Sequence, residues 1–211
     1  MVVKTSDIKS RFIHTILLFF NSMKALFTLI FCSLILSVSS QNLALSNAAI
    51  KLTEQQVTYD PSYFKIDYPN GDVPSGKGVC TDVVIRAYRK LGIDLQKLVH
   101  EDMKANFSIY PKNWGLKSTD RNIDHRRVPN LMRFFERHGT VLPKSQNADD
   151  YQAGDIVTWN LGGGITHIGI VVNKTSLLGN RPLIVHNIGA GQVLEDCLFR
   201  YTITGHYRYS K

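Results

Sequence analysis

The hydrophobic period of this chain changes near residue 150, and that change narrows the possible folds more than any other feature. Before it, apolar residues recur at three- and four-residue spacings. "CTDVVIRAYRKLG", residues 80–92, puts Val83, Val84, Ala87, Tyr88 and Leu91 on one side and Arg86, Arg89 and Lys90 on the other. That is an amphipathic helix closed by Gly92. Asp94 caps a second helix through Leu95, Leu98, Val99 and Met103 to about Asn106, and "VPNLMRFFERHG" gives a third, with Pro129 at its first helical position and Gly139 past its end. After residue 150 come "DIVTWNL" (155–161), "HIGIVVN" (167–173), "PLIVHNI" (182–188) and "ITGHYRY" (203–209). These segments are short, rich in β-branched and aromatic residues, and separated by Gly, Asn or Pro, as strands are. Connections this short imply antiparallel neighbours. Helices first and strands after specify an α+β fold, with N-terminal helices packed on a C-terminal antiparallel sheet, in place of alternating βαβ units.

The first forty residues stand apart from that core. "ALFTLIFCSLIL", 25–36, is an apolar run preceded by Lys24 and followed by the small and polar "SVSSQ". This is the plan of a secretory signal over 1–40, with cleavage after Ser40 and Met23 as an alternative start. About twelve residues is short for a bilayer span, so a membrane is a partner only if the signal stays uncleaved. Residues 41–56 read as a lead-in and 57–211 as the working domain. An exported protein, periplasmic or secreted, is expected. Residues 1–40 hold Lys4, Lys9, Arg11 and Lys24 against Asp7, so of the chain's net +8 the remainder keeps +5. A mildly basic exported protein suits an anionic polymer such as cell wall. Nucleic acid is not an expected partner, because the basic residues are scattered and "RNIDHRR", 121–127, is the one local cluster. Oligomeric state leaves no mark in the sequence.

Two cysteines remain beyond the signal, Cys80 and Cys197. A disulfide between them is the simplest option in an oxidising compartment. The chain is large enough to be held by burial, and both thiols are expected to be unpaired. Cys80 opens its helix after a turn-rich stretch, 59–78. A helix N-terminus and a neighbouring imidazole each favour the thiolate, which leads to an expectation of fast alkylation near neutral pH; Asp82 acts the other way. His167 opens one strand and His186 lies in the next. Alternation puts His167 with Gly169 and Val171, and His186 with Ile184. Were those faces turned toward the start of the Cys80 helix, a Cys–His–His line would result, one imidazole taking the thiol proton and the other fixing its tautomer. Asn187 points away from His186, so only one of the two can orient. Against this, a cysteine on an amphipathic helix is more often buried filler than a nucleophile, and a histidine at a strand end is more often simply hydrogen-bonded.

No cofactor or metal is expected, since neither Cys-x-x-Cys nor His-Glu-x-x-His occurs and the order of Cys80, His167 and His186 matches no zinc motif. "GAGQVL", 189–194, lacks the third glycine and the following helix of a dinucleotide loop. Trp159 can stack on a sugar or peptide, or serve as a core aromatic.

The lines "DYPNGDVP" (67–74), "GVCTDVVIRAYRKLGIDLQKLVHEDM" (78–103), "NIDHRRVPNL" (122–131), "AGDIVTW" (153–159), "HIGIV" (167–171) and "IVHNIGAG" (184–191) together resemble the NlpC/P60 superfamily of papain-like cysteine hydrolases. More closely, residues 57–209 resemble the bacterial family called domain of unknown function 1287. The resemblance implies a permuted papain-like fold and acyl transfer on an amide bond of peptidoglycan. It implies Cys80 as nucleophile, His167 as base and His186 as orienter. Tyr68, in Tyr68-Pro-Asn-Gly71, matches the tyrosine that helps the Cys80 amide hold the oxyanion, and Thr81, Asp82, Asn187 and Trp159 become candidates for the substrate cleft. Arg126 and Arg127 could bind stem-peptide carboxylates, although a solvated charged face is the commoner role for such residues. Superfamily endopeptidases commonly read Asp-Cys-Ser-Gly, where the Asp meets a substrate amine. This chain reads Val79-Cys80-Thr81-Asp82, and a valine side chain cannot accept a hydrogen bond. Asp82 could take over, its ordinary role being to satisfy helix-start amides. The competing functions are an acyltransferase or lipid amide or ester hydrolase of the same fold, and a non-catalytic wall-binding module.

Overall fold

The computed structural model describes residues 40–211, so the signal segment expected over 1–40 lies, all but its last residue, outside the described residues. Residues 41–211 form one compact unit. It begins with helix α1 (40–52), in which Leu45, Ala49 and Leu52, four and three apart, are buried. Ser46 ties this helix to the sheet, its Oγ donating to Asn173 Oδ1 and accepting from the Asn173 amide, both at 2.9 Å. The segment read as a lead-in is thus part of the main core.

Strands β1 (Thr58–Tyr59) and β2 (Lys77–Gly78) form a short parallel pair, and the loop between them is tied to Gln96. Gly71 explains how the loop fits. A Cβ there would sit 1.9 Å from the Asp67 carbonyl oxygen, while its amide donates to Gln96 Oε1 at 2.8 Å. Helices α2 (Cys80–Lys90), α3 (Leu95–Ala105) and α4 (Val128–His138) follow. The expected signals close them: Asp94 accepts from the Lys97 amide, Pro129 lies in the first turn of α4, and Gly139 follows its end.

The sheet is built from β3 (Thr140–Val141), β4 (Ile156–Asn160), β5 (Thr166–Thr175), β6 (Pro182–Asn187), β7 (Gln192–Glu195) and β8 (Thr202–Arg208). They are antiparallel in the order β3-β8-β4-β5-β6-β7. Four of these are the strands read from the sequence; β3 and β7 were not anticipated. Both faces are covered. Ile156, Ile168, Ile170, Val172 and Val185 pack with α1, α2 and α4 in the larger apolar cluster. Val157, Trp159, Val171 and Ile184 face the other way and pack with Tyr151, Cys197 and Leu198. The architecture is the α+β arrangement expected from the period change.

Because Leu52 is only 2% exposed in the larger cluster, truncating it leaves a cavity. Leu52→Ala is expected to lower unfolding free energy by about 2–5 kcal/mol in urea titrations. A change within about 0.5 kcal/mol would mean that α1 is an appendage.

Candidate active site

Cys80 is the first residue of α2, and several bonds fix where that helix begins. Asp82 Oδ2 accepts from the Val79 amide at 2.7 Å. The Arg126 guanidinium grips the same carboxylate, Nε to Oδ1 at 3.0 Å and Nη2 to Oδ2 at 3.1 Å. Thr81 Oγ1 donates to the Arg126 carbonyl at 3.2 Å, and Asn187 Nδ2 donates to the Gly78 carbonyl at 3.2 Å. These contacts correct four expectations. Thr81, Asp82 and Asn187 are committed to holding the helix start and are not free to meet a substrate. Arg126, whose side chain is 1% exposed, is neither a solvated charge nor a carboxylate receptor.

The N-terminus of α2 reaches the sheet where β5 and β6 part. Their pairing starts at Ile170 opposite Val185. At Ile168, two residues earlier, the amide faces the Cys80 sulfur, as the amides of Thr81 and of Cys80 do at the helix start. These favour the thiolate, yet burial outweighs them and, with Asp82, pushes the thiol up to about 12.

His167 and His186 meet on the far side of that gap. His167 Nε2 lies 2.9 Å from His186 Nδ1, with the rings 83° apart. Gly169 permits this approach: a Cβ there would sit 2.7 Å from Ile184 Cγ2 and 3.2 Å from the His186 Cβ. His186 Nε2 in turn lies 2.9 Å from Glu195 Oε2, and Arg200 pairs with the other oxygen of that carboxylate. An ionised carboxylate only accepts, so the hydrogen-bond network assigns the protons. His186 carries its proton on Nε2, its Nδ1 accepts from His167 Nε2–H, and His167 Nδ1 is left as a lone-pair acceptor. Burial, then the neighbouring His186, holds His167 down to about 3, with Glu195 pulling the other way; burial also lowers His186. Thiol and imidazole are therefore both neutral at rest. Burial thus works against the expected thiolate–imidazolium pair, raising the thiol and lowering the imidazole.

The strand faces also differ from expectation. Trp159 pairs across the sheet with His167, their rings 5.9 Å apart, so both histidines share the face turned away from α2. Cys80 comes to β5 from the opposite face, along Thr166 and Ile168. Cys80 and the two histidines therefore meet the first residues of β5 from opposite faces, Cys80 at Thr166 and Ile168 and the histidines at His167. Trp159, 1% exposed and donating from Nε1 to the Leu198 carbonyl at 2.8 Å, is a core residue and offers no stacking surface.

A cleft of about 170 Å³ opens over Cys80, walled by Tyr59, Trp114, Arg126, Arg127 and Thr166. Tyr68 is not among its walls: its hydroxyl is 3.5 Å from Glu101 Oε1 and its ring stands edge-on to His100, both on α3. The reason is the Gly71 turn, which anchors this loop to α3 and leaves Tyr59 beside the nucleophile. A larger cleft of about 640 Å³ lies toward the other end of α2, but its Arg86 and Arg89 both pair with Asp72 and neither a cysteine nor a histidine lines it. Cys197 is a free thiol, as is Cys80. Among the described residues, His186, Glu195 and Cys197 bring donor atoms within 4.8 Å of one another and could hold a soft cation, although the first two are already bonded to each other.

Glu195, Tyr59 and Trp114 are site residues that the sequence reading missed. "GAGQVL" lacks the third glycine of a dinucleotide loop, and its Gly-Ala-Gly turn between two short apolar segments is the available hairpin signal.

Residues 46–209 match the model of a family described as domain of unknown function, DUF1287. The chain belongs to this family. It is similar to YijF of Escherichia coli (strain K12), with 53% identity over 171 residues that cover 81% of this chain and 83% of that protein. Two solved structures of an N-acetylmuramoyl-L-alanine amidase from Bacteroides uniformis ATCC 8492 share the fold. Their TM-scores are 0.53 and 0.52 at 15% and 16% identity, each covering 81% of this chain and 99% of the other.

The neutral pair fixes a pH response. A thiol near 12 is a thiolate in only a small fraction at neutral pH, and a base near 3 stays unprotonated down to strong acid. Alkylation of Cys80 by iodoacetamide is therefore expected to be slower at pH 7 than that of the denatured protein, and to climb about tenfold per pH unit from 7 to 10. A rate plateau between pH 5 and 8 would show an ion pair instead.

Proposed function

We propose that this protein is an exported cysteine hydrolase that cleaves an amide bond in the stem peptides of peptidoglycan. The observation that carries the reading is the bonded run His167–His186–Glu195, which leaves Nδ1 unprotonated on His167, the residue next to Ile168, whose amide faces the Cys80 sulfur. In this reading Cys80 attacks the amide carbonyl while His167 Nδ1 takes the thiol proton in the same step, so no free thiolate is needed. His167 then carries a positive charge. His186 accepts its Nε2–H bond, and the Glu195 carboxylate stabilises the pair from the far end. The Cys80 amide and the Tyr59 hydroxyl are the donors for the oxyanion. His167 returns the proton to the leaving amine, and a water molecule, activated by the same nitrogen, releases the acyl group from the sulfur.

Three observations support the substrate class: the export signal read from residues 1–40, the basic balance of the rest of the chain, and a fold shared with an amidase whose name records action on muramoyl peptides. The free, buried thiol speaks against a redox role for Cys80.

Digestion of purified sacculi tests the reading. The wild-type protein is expected to release muropeptides missing from digests made with Cys80→Ala, while phospholipid vesicles stay intact. Glu195→Gln, which keeps the shape and removes the charge, is expected to lower kcat by about 10- to 100-fold with KM little changed. Identical muropeptide profiles from wild type and Cys80→Ala would remove the wall-hydrolase reading.

A further inference from the structure

We propose that Arg127, stacked on Trp114 at the mouth of the Cys80 cleft, binds a carboxylate that the substrate carries within about one residue of the cleaved amide. This rests on the hydrolase reading and adds a specificity to it. Arg126 and Arg127 are neighbours in sequence with opposite fates. Arg126 is neutralised by Asp82 and buried. Arg127 has no carboxylate within ion-pairing distance among the described residues, and its Nη1 is buried with no hydrogen-bond partner. Asp120, whose charge Arg127 also feels, is already occupied, accepting from the Tyr63 hydroxyl and the Asn122 amide at 2.9 Å each. A guanidinium with an unsatisfied, desolvated nitrogen costs stability unless something binds it.

The neighbouring aromatic fixes its orientation. The guanidinium carbon lies 4.7 Å from the Trp114 ring centroid. Trp114 is 64% exposed and holds its place with φ at 61°, a backbone region that non-glycine residues seldom adopt. A stacked guanidinium keeps its N–H edge in one plane, as two-point recognition of a carboxylate requires. Arg127, Trp114 and Cys80 line the same cleft, so the anion would sit beside the reacting carbonyl.

The remaining charges agree. Val79 stands where an amine-binding acid would be needed, and Asp82, the nearest acid in sequence, is consumed by Arg126 and the Val79 amide. The cleft therefore offers an uncompensated positive charge and no free negative one. Its substrate is an acidic peptide, not one recognised by a free N-terminal amine.

Two measurements test this separately from the hydrolase reading. The first needs no substrate. At pH 9, Cys80 is alkylated with iodoacetate or iodoacetamide and the modified site is read by peptide mapping. Arg127→Gln is expected to lower the iodoacetate-to-iodoacetamide rate ratio about tenfold. An unchanged ratio overturns the subsite. The second uses Cys80→Ala and calorimetric titration with a γ-D-glutamyl tripeptide bearing free carboxylates, compared with its carboxamide analogue. The acid form is expected to bind about tenfold tighter, with the preference lost when Arg127→Gln is added. Should the alkylation ratio fall as expected while neither peptide binds, the anion subsite stands and the stem-peptide reading fails.

Discussion

The position of Cys80 depends on the buried pairing of Asp82 with Arg126. Both side chains are nearly inaccessible, at 4% and 1% exposure. Such a pair adds little net stability, because two charges have been taken out of water. Its value is in registration. The carboxylate bonds at once to the Val79 amide and to a guanidinium that also donates to the Ser62 carbonyl at 3.0 Å. The loop 60–62, the start of α2 and the short turn before α4 are thereby fixed to one point. Removing one partner would strand the other charge, at a cost of about 3–5 kcal/mol. It would also release the end of the helix from the gap between β5 and β6. Fold stability and active-site geometry share this constraint.

What the sequence made legible follows the strength of local signals. Helices α2, α3 and α4 carry an apolar stripe, a start signal and a glycine or polar stop, and each was located to within a residue or two. Strands β4, β5, β6 and β8 were visible because each has an apolar run bounded by turn residues. Strand β7 has only four residues, Gln192–Glu195, and just two of them are apolar, so Glu195 went unseen as a partner for His186. That His167 shares a side with Val171, and His186 with Ile184, is legible from alternation; that the two sides coincide is set by the register, which puts Val171 opposite Ile184. Which side α2 packs on was not legible, since periodicity fixes relative faces and cannot say which one meets the helices.

The misplaced tyrosine has a different cause. Tyr68-x-x-Gly71 fits a motif, but its location is set by contacts distant in sequence: Gly71 to Gln96, Asn70 to Asp94. No local pattern reports a loop's partner. Nor does one distinguish Arg126 from Arg127. In an extended or turning chain adjacent side chains diverge, so one arginine goes inward to Asp82 and the other outward to Trp114. Trp159 was ambiguous for a related reason: a tryptophan in a strand serves equally as core or platform until the opposite face is known to be covered.

The distribution of charge between Cys80 and the His167–His186–Glu195 run says how the proposed hydrolase would work. Its inner end holds two neutral groups in a poorly solvated gap; its outer end holds a carboxylate, partly exposed and paired with Arg200. Had the inner end been ionised at rest, the fold would have borne the desolvation of two charges permanently. Placing the fixed charge outside, two rings away, lets water and Arg200 carry much of its solvation. The carboxylate still dictates both tautomers through hydrogen bonds, which need only contact. In the proposed hydrolase, charge would arise inside only as the sulfur attacks, when the oxyanion and the protonated His167 would form together and compensate one another. Glu195 is thus better described as the residue that sets where the protons lie than as a partner in the transfer. Its effect is expected on the turnover step far more than on binding.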